Sequence, residues 1–309
     1  MSNDSNDNSA NSSNLANMVQ ERKVWLEAHG AMEGIQEGAY QIKAELVDQR
    51  HLENLQLTPN SKLIHFQRHA QGYHNLIFRI LEENGLPITD IYNPDPAVNP
   101  FVKPEIRDSP LTELGRSQCL EQRIKVEKLG IKPELVIVSP MHRALLTALL
   151  TFSQPPRDHD TTHNDTHSDT HNENENDAGP SFVAHSGCRE ELGILTCNWR
   201  RPLSETQIEF PQVDFGSLLA TEGDEDSLFN LTEQENPTHQ SQRIYDFLVD
   251  YLRVQPQSEI AVVGHSAWLF TMCNAVIDCG DDEELTSWFG TSEIRSMILT
   301  WETTKRGDE

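Results

Sequence analysis

Two stretches, Lys62-Leu-Ile-His-Phe-Gln-Arg-His69 and Ile260-Ala-Val-Val-Gly-His265, decide how this chain folds. Each is an apolar run of strand length that ends on a histidine, the form of a buried strand. A third run, Val136-Ile-Val-Ser-Pro-Met-His-Arg143, ends on an arginine. Helical patterns lie between them. Gly72–Glu83 carries Leu76, Ile77, Ile80 and Leu81, and Leu111–Leu129 is amphipathic with Thr112 or Ser109 able to cap it. Met141–Phe152, Ser204–Phe210, His239–Arg253 and Ala267–Val276 read as further helices. Phe182–Ala184 reads as a short strand, and Ile294–Trp301 as a last strand at a sheet edge because polar residues flank it. This alternation predicts an α/β fold, a three-layer α/β/α sandwich around a mostly parallel sheet. Parallel strands put Arg68, His69, Arg143 and His265 at one edge, where open α/β sheets bind ligands.

The 309-residue chain has a formal net charge of −25, which disfavours nucleic acid and anionic membranes as partners. A site for an anion must then be a local positive focus, with Arg68, Arg107, Arg143, Arg200 and Arg201 to supply it. Hydrophobic residues make up only 36%, because polar segments dilute the core. Residues 1–14 are rich in Ser, Asn and Asp and are expected to form a disordered tail. Residues 15–60 read as a helical extension, interrupted by Gly30, Gly34 and Gly38, that packs on a main domain over 61–303. Within that domain, 155–180 reads as a disordered insertion. It contains His159, His163, His167 and His171, four apart, which on one helix face could hold a metal. The intervening Thr, Asp and Asn are poor helix formers, and short tandem repeats suit a tolerant surface loop. No metal and no cofactor are expected. The five cysteines show neither a zinc pattern nor an even disulfide framework. The chain lacks a charged start followed by an apolar run, and no stretch is apolar enough to span a bilayer. A reducing cytoplasmic or nuclear setting is expected. The loops 87–104 and 213–236 are long enough to shape a site, and oligomeric state is not legible.

Two arginines and two histidines at one sheet edge suit a phosphate dianion. Arginine offers a planar fork of donors that stays charged, and neutral imidazole is a nucleophile near pH 7. Five motifs follow in order: Arg68-His-Ala-Gln-Gly-Tyr-His-Asn75, Asp108-Ser-Pro-Leu-Thr-Glu-Leu-Gly-Arg-Ser-Gln118, Ser139-Pro-Met-His-Arg143, Cys188-Arg-Glu-Glu-Leu-Gly193 and Val263-Gly-His-Ser266. Together they resemble the histidine phosphatase superfamily, and within it the phosphoglycerate mutase-like proteins of fungal and plant type. Ala70 stands where that family usually has glycine.

The resemblance implies a phosphomonoesterase that needs no metal and acts on a small phosphorylated substrate. His69 matches the histidine that carries the phosphoryl group. Arg68, Arg143 and a protonated His265 would compensate its oxygens. Glu190 matches the family's acid. Glu191 is the adjacent alternative, on the opposite face if the segment is extended. Gly72 would let the backbone approach, and Asn75 would contact phosphoryl oxygen or make a helix-side hydrogen bond. Ser266 opens a helix after His265, whose backbone N–H groups could also hold the anion. Arg200 and Arg201 would read a second acidic group of the substrate, or pair with local carboxylates. Asp108 and Arg107 precede a helix that Asp108 could start. Tyr73 and Trp199 would line the mouth or pack, while His65 and His142 pack and Cys188 is no nucleophile. A mutase of the same fold and a silent phosphate-binding scaffold are the alternatives.

Overall fold

The computed structural model describes residues 6–32, 35, 38–86, 90–153 and 179–304. The histidine-rich tract from 158 to 177, read as a disordered insertion, lies outside the described residues. The core is a seven-stranded sheet in the order β1-β7-β2-β6-β3-β4-β5. Its strands are β1 (Tyr40–Leu46), β2 (Ser61–Arg68), β3 (Leu135–Val138), β4 (Ser181–Ala184), β5 (Val213–Asp214), β6 (Glu259–Gly264) and β7 (Ile294–Thr303). Strands β2, β6, β3, β4 and β5 run parallel, and β7 is antiparallel to both β2 and β1.

Alternation along each strand creates the layers. Ile64 and Phe66, Leu135 and Ile137, and Ile260 and Val262 face one side. There they pack on Ile244 of α7 (Pro237–Asp246) and Trp268 of α8 (Ser266–Thr271). Val136, Val138, Ala261 and Val263 face the other side. They meet Val126 of α3 (Glu113–Leu129) and Leu145 and Ala148 of α4 (His142–Phe152). The central strands are buried on both faces, so they read as continuous apolar runs rather than as alternating ones. The three-layer sandwich expected from the sequence is the observed architecture.

Three expectations change at the margins. Part of the extension read as helical is β1, with Tyr40, Ile42, Ala44 and Leu46 alternating against Gln41, Lys43 and Glu45. That period of two is the strand signature. Strand β7 is consequently internal, with Ile42 opposite Trp301 and Ile64 opposite Met297, and β1 is the edge. The stretch 213–236, read as loop, holds β5 and a short helix α6 (Gly216–Glu222).

Helix α1 (Asn6–Ala28) starts within the polar segment assigned to the tail. Leu26 near its end packs against Phe270 and Ala275, with Trp25 and Trp288 alongside. Helix α2 (Tyr73–Glu83) follows β2, and the short helices α5 (Leu203–Glu209) and α9 (Glu283–Thr286) lie further along the chain. All five cysteines are free and buried. No helix among the described residues is long and apolar enough to cross a membrane.

Candidate active site

The parallel register fixes the site. Arg68 at the end of β2 stands beside Gly264 at the end of β6, and Val138 of β3 stands beside Val263. The three segments that follow these strands therefore leave the sheet at one edge. They bring His69, His265 and Arg143 together. A cleft of about 660 Å³ opens there, lined among others by Arg68, His69, His74, Asn75, Arg143, Glu190, Glu191 and Ser266. That volume is typical of a small-molecule site.

His69 is 2% exposed, and its backbone N–H donates to the Gly264 carbonyl at 2.9 Å. Its Nδ1 lies 2.7 Å from the Ala70 carbonyl oxygen. A carbonyl can only accept, so Nδ1 carries the proton and Nε2 carries the lone pair. Burial, and then the charges of Arg143, His74 and Arg68, hold the imidazole well below its usual pKa, hence neutral at pH 7. The loop after it is tied to α4: Ala70 N–H donates to Thr147 Oγ1 at 3.0 Å. It is also pressed by α3, where a Cβ on Gly115 would lie 2.2 Å from the Gln71 carbonyl oxygen. Only glycine permits that approach.

Arg143 is 1% exposed and sits in the first turn of α4. Its Nη1 donates to the Cys197 carbonyl at 2.6 Å, and its Nη2 to Asn198 Oδ1 at 2.8 Å and to His265 Nδ1 at 3.2 Å. Arg68 Nη1 donates to the Phe289 carbonyl at 2.7 Å. Among the described residues neither arginine has a carboxylate within ion-pair distance.

A guanidinium cannot accept a hydrogen bond, so His265 Nδ1 is the acceptor, and Nε2–H is left to donate to Ser139 Oγ at 2.7 Å. His265 is thus neutral, with burial and Arg143 holding its pKa well below the usual value. It is also 0% exposed. The expectation of a protonated His265 facing phosphate is corrected: it buttresses Arg143 and stands 5.1 Å, ring to ring, from His69.

Glu190 accepts hydrogen bonds from the backbone N–H groups of Glu191 (3.1 Å), Ala267 (3.2 Å) and Trp268 (3.0 Å). It caps α8, so two of the helix-start N–H groups expected to hold the anion are already engaged. Burial and the charge of Glu191 push its pKa up against those hydrogen bonds, and the net direction is upward. Glu191 does not turn to the opposite face; both carboxylates line the cleft. Glu191 is engaged on both oxygens, by Arg22 of α1 and by the Tyr92 hydroxyl at 2.6 Å. This contact joins α1 to Tyr92 beside the cleft.

Several expected residues lie elsewhere. Arg200 is 0% exposed. Its Nη1 donates to the Arg201 (3.1 Å) and Asp224 (2.6 Å) carbonyls and its Nη2 to that of Glu225 (2.8 Å). Arg201 binds Glu209 Oε2 at 2.8 Å and Asp108 Oδ2 at 3.3 Å. Neither lines the cleft. The two arginines brace the frame because acceptors surround them before a substrate can. Gly72 does not line the cleft either; a Cβ there would lie 2.8 Å from the His74 ring, so it makes room for that side chain. Asn75 Oδ1 accepts from Gly72 N–H at 3.0 Å, the helix-side hydrogen bond, while the side chain still lines the cleft.

Asp108 does not start its own helix. Thr112 caps α3, and Asp108 Oδ1 accepts from His142 N–H at 2.9 Å, holding the start of the helix that carries Arg143. Arg107 and Trp199 stack on each other, with the guanidinium carbon 3.8 Å from the ring. Tyr73 is exposed. His65 packs against Ser296 and Glu259, and His142 against Glu209. The buried Cys188 thiol is pushed up to about 12, which removes it as a nucleophile.

Sequence reasoning missed His74, whose ring lies 5.3 Å from that of His69. Its signal was in the Arg68–Asn75 motif. It also missed Asn198 and Ser139, which orient Arg143 and His265, and Arg22, for which no local pattern exists.

No family model matches the chain. Over 249 residues it is 31% identical to phosphoglycerate mutase-like protein 1 of Arabidopsis thaliana, covering 77% of this chain and 81% of that one. A second phosphoglycerate mutase-like protein of Arabidopsis thaliana is 31% identical over 248 residues, covering 77% and 84%. Among solved structures, a putative alpha-ribazole-5'-P phosphatase from Escherichia coli overlaps 79% of this chain and 96% of that chain, at 15% identity and a TM-score of 0.45. A phosphoserine phosphatase from Entamoeba histolytica overlaps 79% and 98%, at 16% identity and a TM-score of 0.38. With the ordered motifs, the sheet order and relatives matched over most of both chains, the protein belongs to the phosphoglycerate mutase-like proteins of the histidine phosphatase superfamily.

Proposed function

We propose that this protein hydrolyses small phosphomonoesters through a phosphohistidine on His69, without a metal. One observation carries the reading: Nδ1–H is committed to the Ala70 carbonyl, so a neutral imidazole keeps its lone pair on Nε2, in a cleft that also holds Arg68 and Arg143. In the first step that lone pair bonds to phosphorus and the bond to the alcohol oxygen breaks. The electron pair leaves with the alcohol, which takes a proton from Glu190. In the second, water attacks phosphorus and gives its proton to the Glu190 carboxylate, and the P–N electron pair returns to Nε2. Arg68 and Arg143 compensate the equatorial oxygens in both steps, which is most of what phosphoryl transfer asks of a protein. The raised pKa of Glu190 suits it to start protonated and end as a base.

The test is chemical trapping with phosphate release. His69→Ala is expected to abolish acid-labile, alkali-stable labelling and to cost at least about a thousandfold in turnover. Labelling that survives in His69→Ala would sink the assignment. Glu190→Gln is expected to slow alkyl phosphates about a hundredfold and p-nitrophenyl phosphate far less, since that leaving group departs without a proton. Equal slowing of both would make Glu190 a binding residue instead.

A further inference from the structure

The cleft lining joins charged and apolar side chains. Arg68, His69 and Arg143 sit where the strands finish, and Met18, Phe78, Ile91, Phe101, Leu195 and Trp288 supply an apolar share of the walls. Phe78 of α2 is 42% exposed although its ring stands 6.3 Å from that of the buried Phe101, so it presents an uncovered aromatic face beside an apolar cluster. Among the described residues that line the cleft, a second anionic group on the substrate would find no free cation beyond Arg68 and Arg143. The third lining arginine, Arg22, is paired with Glu191, and Glu190 and Glu191 set two carboxylates on the same wall. Arg200 and Arg201, the remaining basic pair near the motifs, are turned into the frame.

We infer that the substrate is a phosphomonoester whose alcohol half is uncharged and apolar, about the size of an aromatic ring, rather than an acidic metabolite such as a phosphoglycerate. The inference rests on the phosphatase reading for its kinetic arm but not for its binding arm. Burying an uncharged ring on these walls favours binding, whereas a second carboxylate would lose its water there without a free cation to pair with.

The experiment uses the full chain and compares 2-phenylethyl phosphate with 3-phosphoglycerate, both esters of primary alcohols. The expected result is at least about a tenfold preference in kcat/KM for the phenylethyl ester, carried by KM. Phe78→Ser, on a partly exposed helix face, is expected to shrink that ratio severalfold. In parallel, calorimetry measures binding of 2-phenylethylphosphonate and 2-carboxyethylphosphonate, which cannot be hydrolysed at phosphorus. If neither ester turns over but the phenyl phosphonate binds more tightly, the phosphatase reading falls and this inference stands. If both esters turn over and the acidic one is equal or preferred, or if Phe78→Ser leaves the ratio unchanged, the phosphatase reading stands and this inference falls. Equal or absent binding of both phosphonates without turnover overturns both.

Discussion

Arg68 and Arg143 line the cleft, while Arg200 and Arg201, a few residues past the Cys188–Gly193 motif, do not. Arg143 is held by a carbonyl, an amide oxygen and an imidazole nitrogen. All three are neutral, so its charge is positioned but not cancelled. Arg200 is clasped by backbone carbonyls, and a buried carboxylate lies beside it, with Asp226 Oδ2 accepting from its backbone N–H at 2.8 Å. Arg201 lies between Asp108 and Glu209. A cation near a motif becomes a site residue only if its own neighbours leave its field open to a ligand.

The largest test of this contrast is Arg143→Gln. It removes the charge from the cleft and is expected to lower kcat/KM by roughly a hundred- to a thousandfold when assayed well below its unfolding transition, since the Cys197 carbonyl and Asn198 also lose a donor. The counterpart, Arg200→Gln, leaves buried carbonyls unpaired. It is expected to cost about 2–4 kcal/mol of stability, read by urea titration, and to leave kcat/KM within severalfold when assayed well below the transition. Comparable kinetic losses from the two would erase the distinction. The finest test is the titration of His69, followed by NMR. Arg143 is one of the charges holding His69 below its usual pKa. Its removal should therefore raise that pKa, so that His69 protonates at higher pH and the acid limb of the rate profile moves up with it. Arg200→Gln should leave the titration nearly where it is, because Arg200 is held by backbone carbonyls and does not line the cleft.

What the sequence disclosed follows the same line. The parallel strands were legible because burial on both faces demands unbroken apolar runs such as Leu135–Val138. That logic also delivered Arg68, His69, Arg143 and Glu190 to one place. Strand β1 was hidden because three glycines between α1 and β1 suggested an interrupted helix, and because only Ile42 along it is fully buried. The role of Arg200 was hidden for another reason. Its acceptors, from Gly223 to Glu225, lie on a loop whose path no local pattern fixes. The neutrality of His265 depends on one nitrogen meeting Arg143 and the other meeting Ser139, a property of tertiary distance. Local chemistry can be read from residues in order; who meets whom across the cleft cannot.

The pairing of β1 with β7 has a consequence for how the molecule is made. Tyr40 stands opposite Thr303 and Leu46 opposite Met297, so β1 finds its strand partner far along the chain. Strand β2 likewise waits for β6 and β7. Contacts of such sequence separation carry the full entropy of closing the chain on itself and form slowly. During synthesis β1 and β2 therefore lack this partner until β7 has been made, and their edges are exposed to association with other chains until then. A chain that stops before Ile294 would leave β2 without one of its neighbours and β1 without its strand partner. Chaperone dependence in this protein should accordingly be set by how soon β7 joins the sheet.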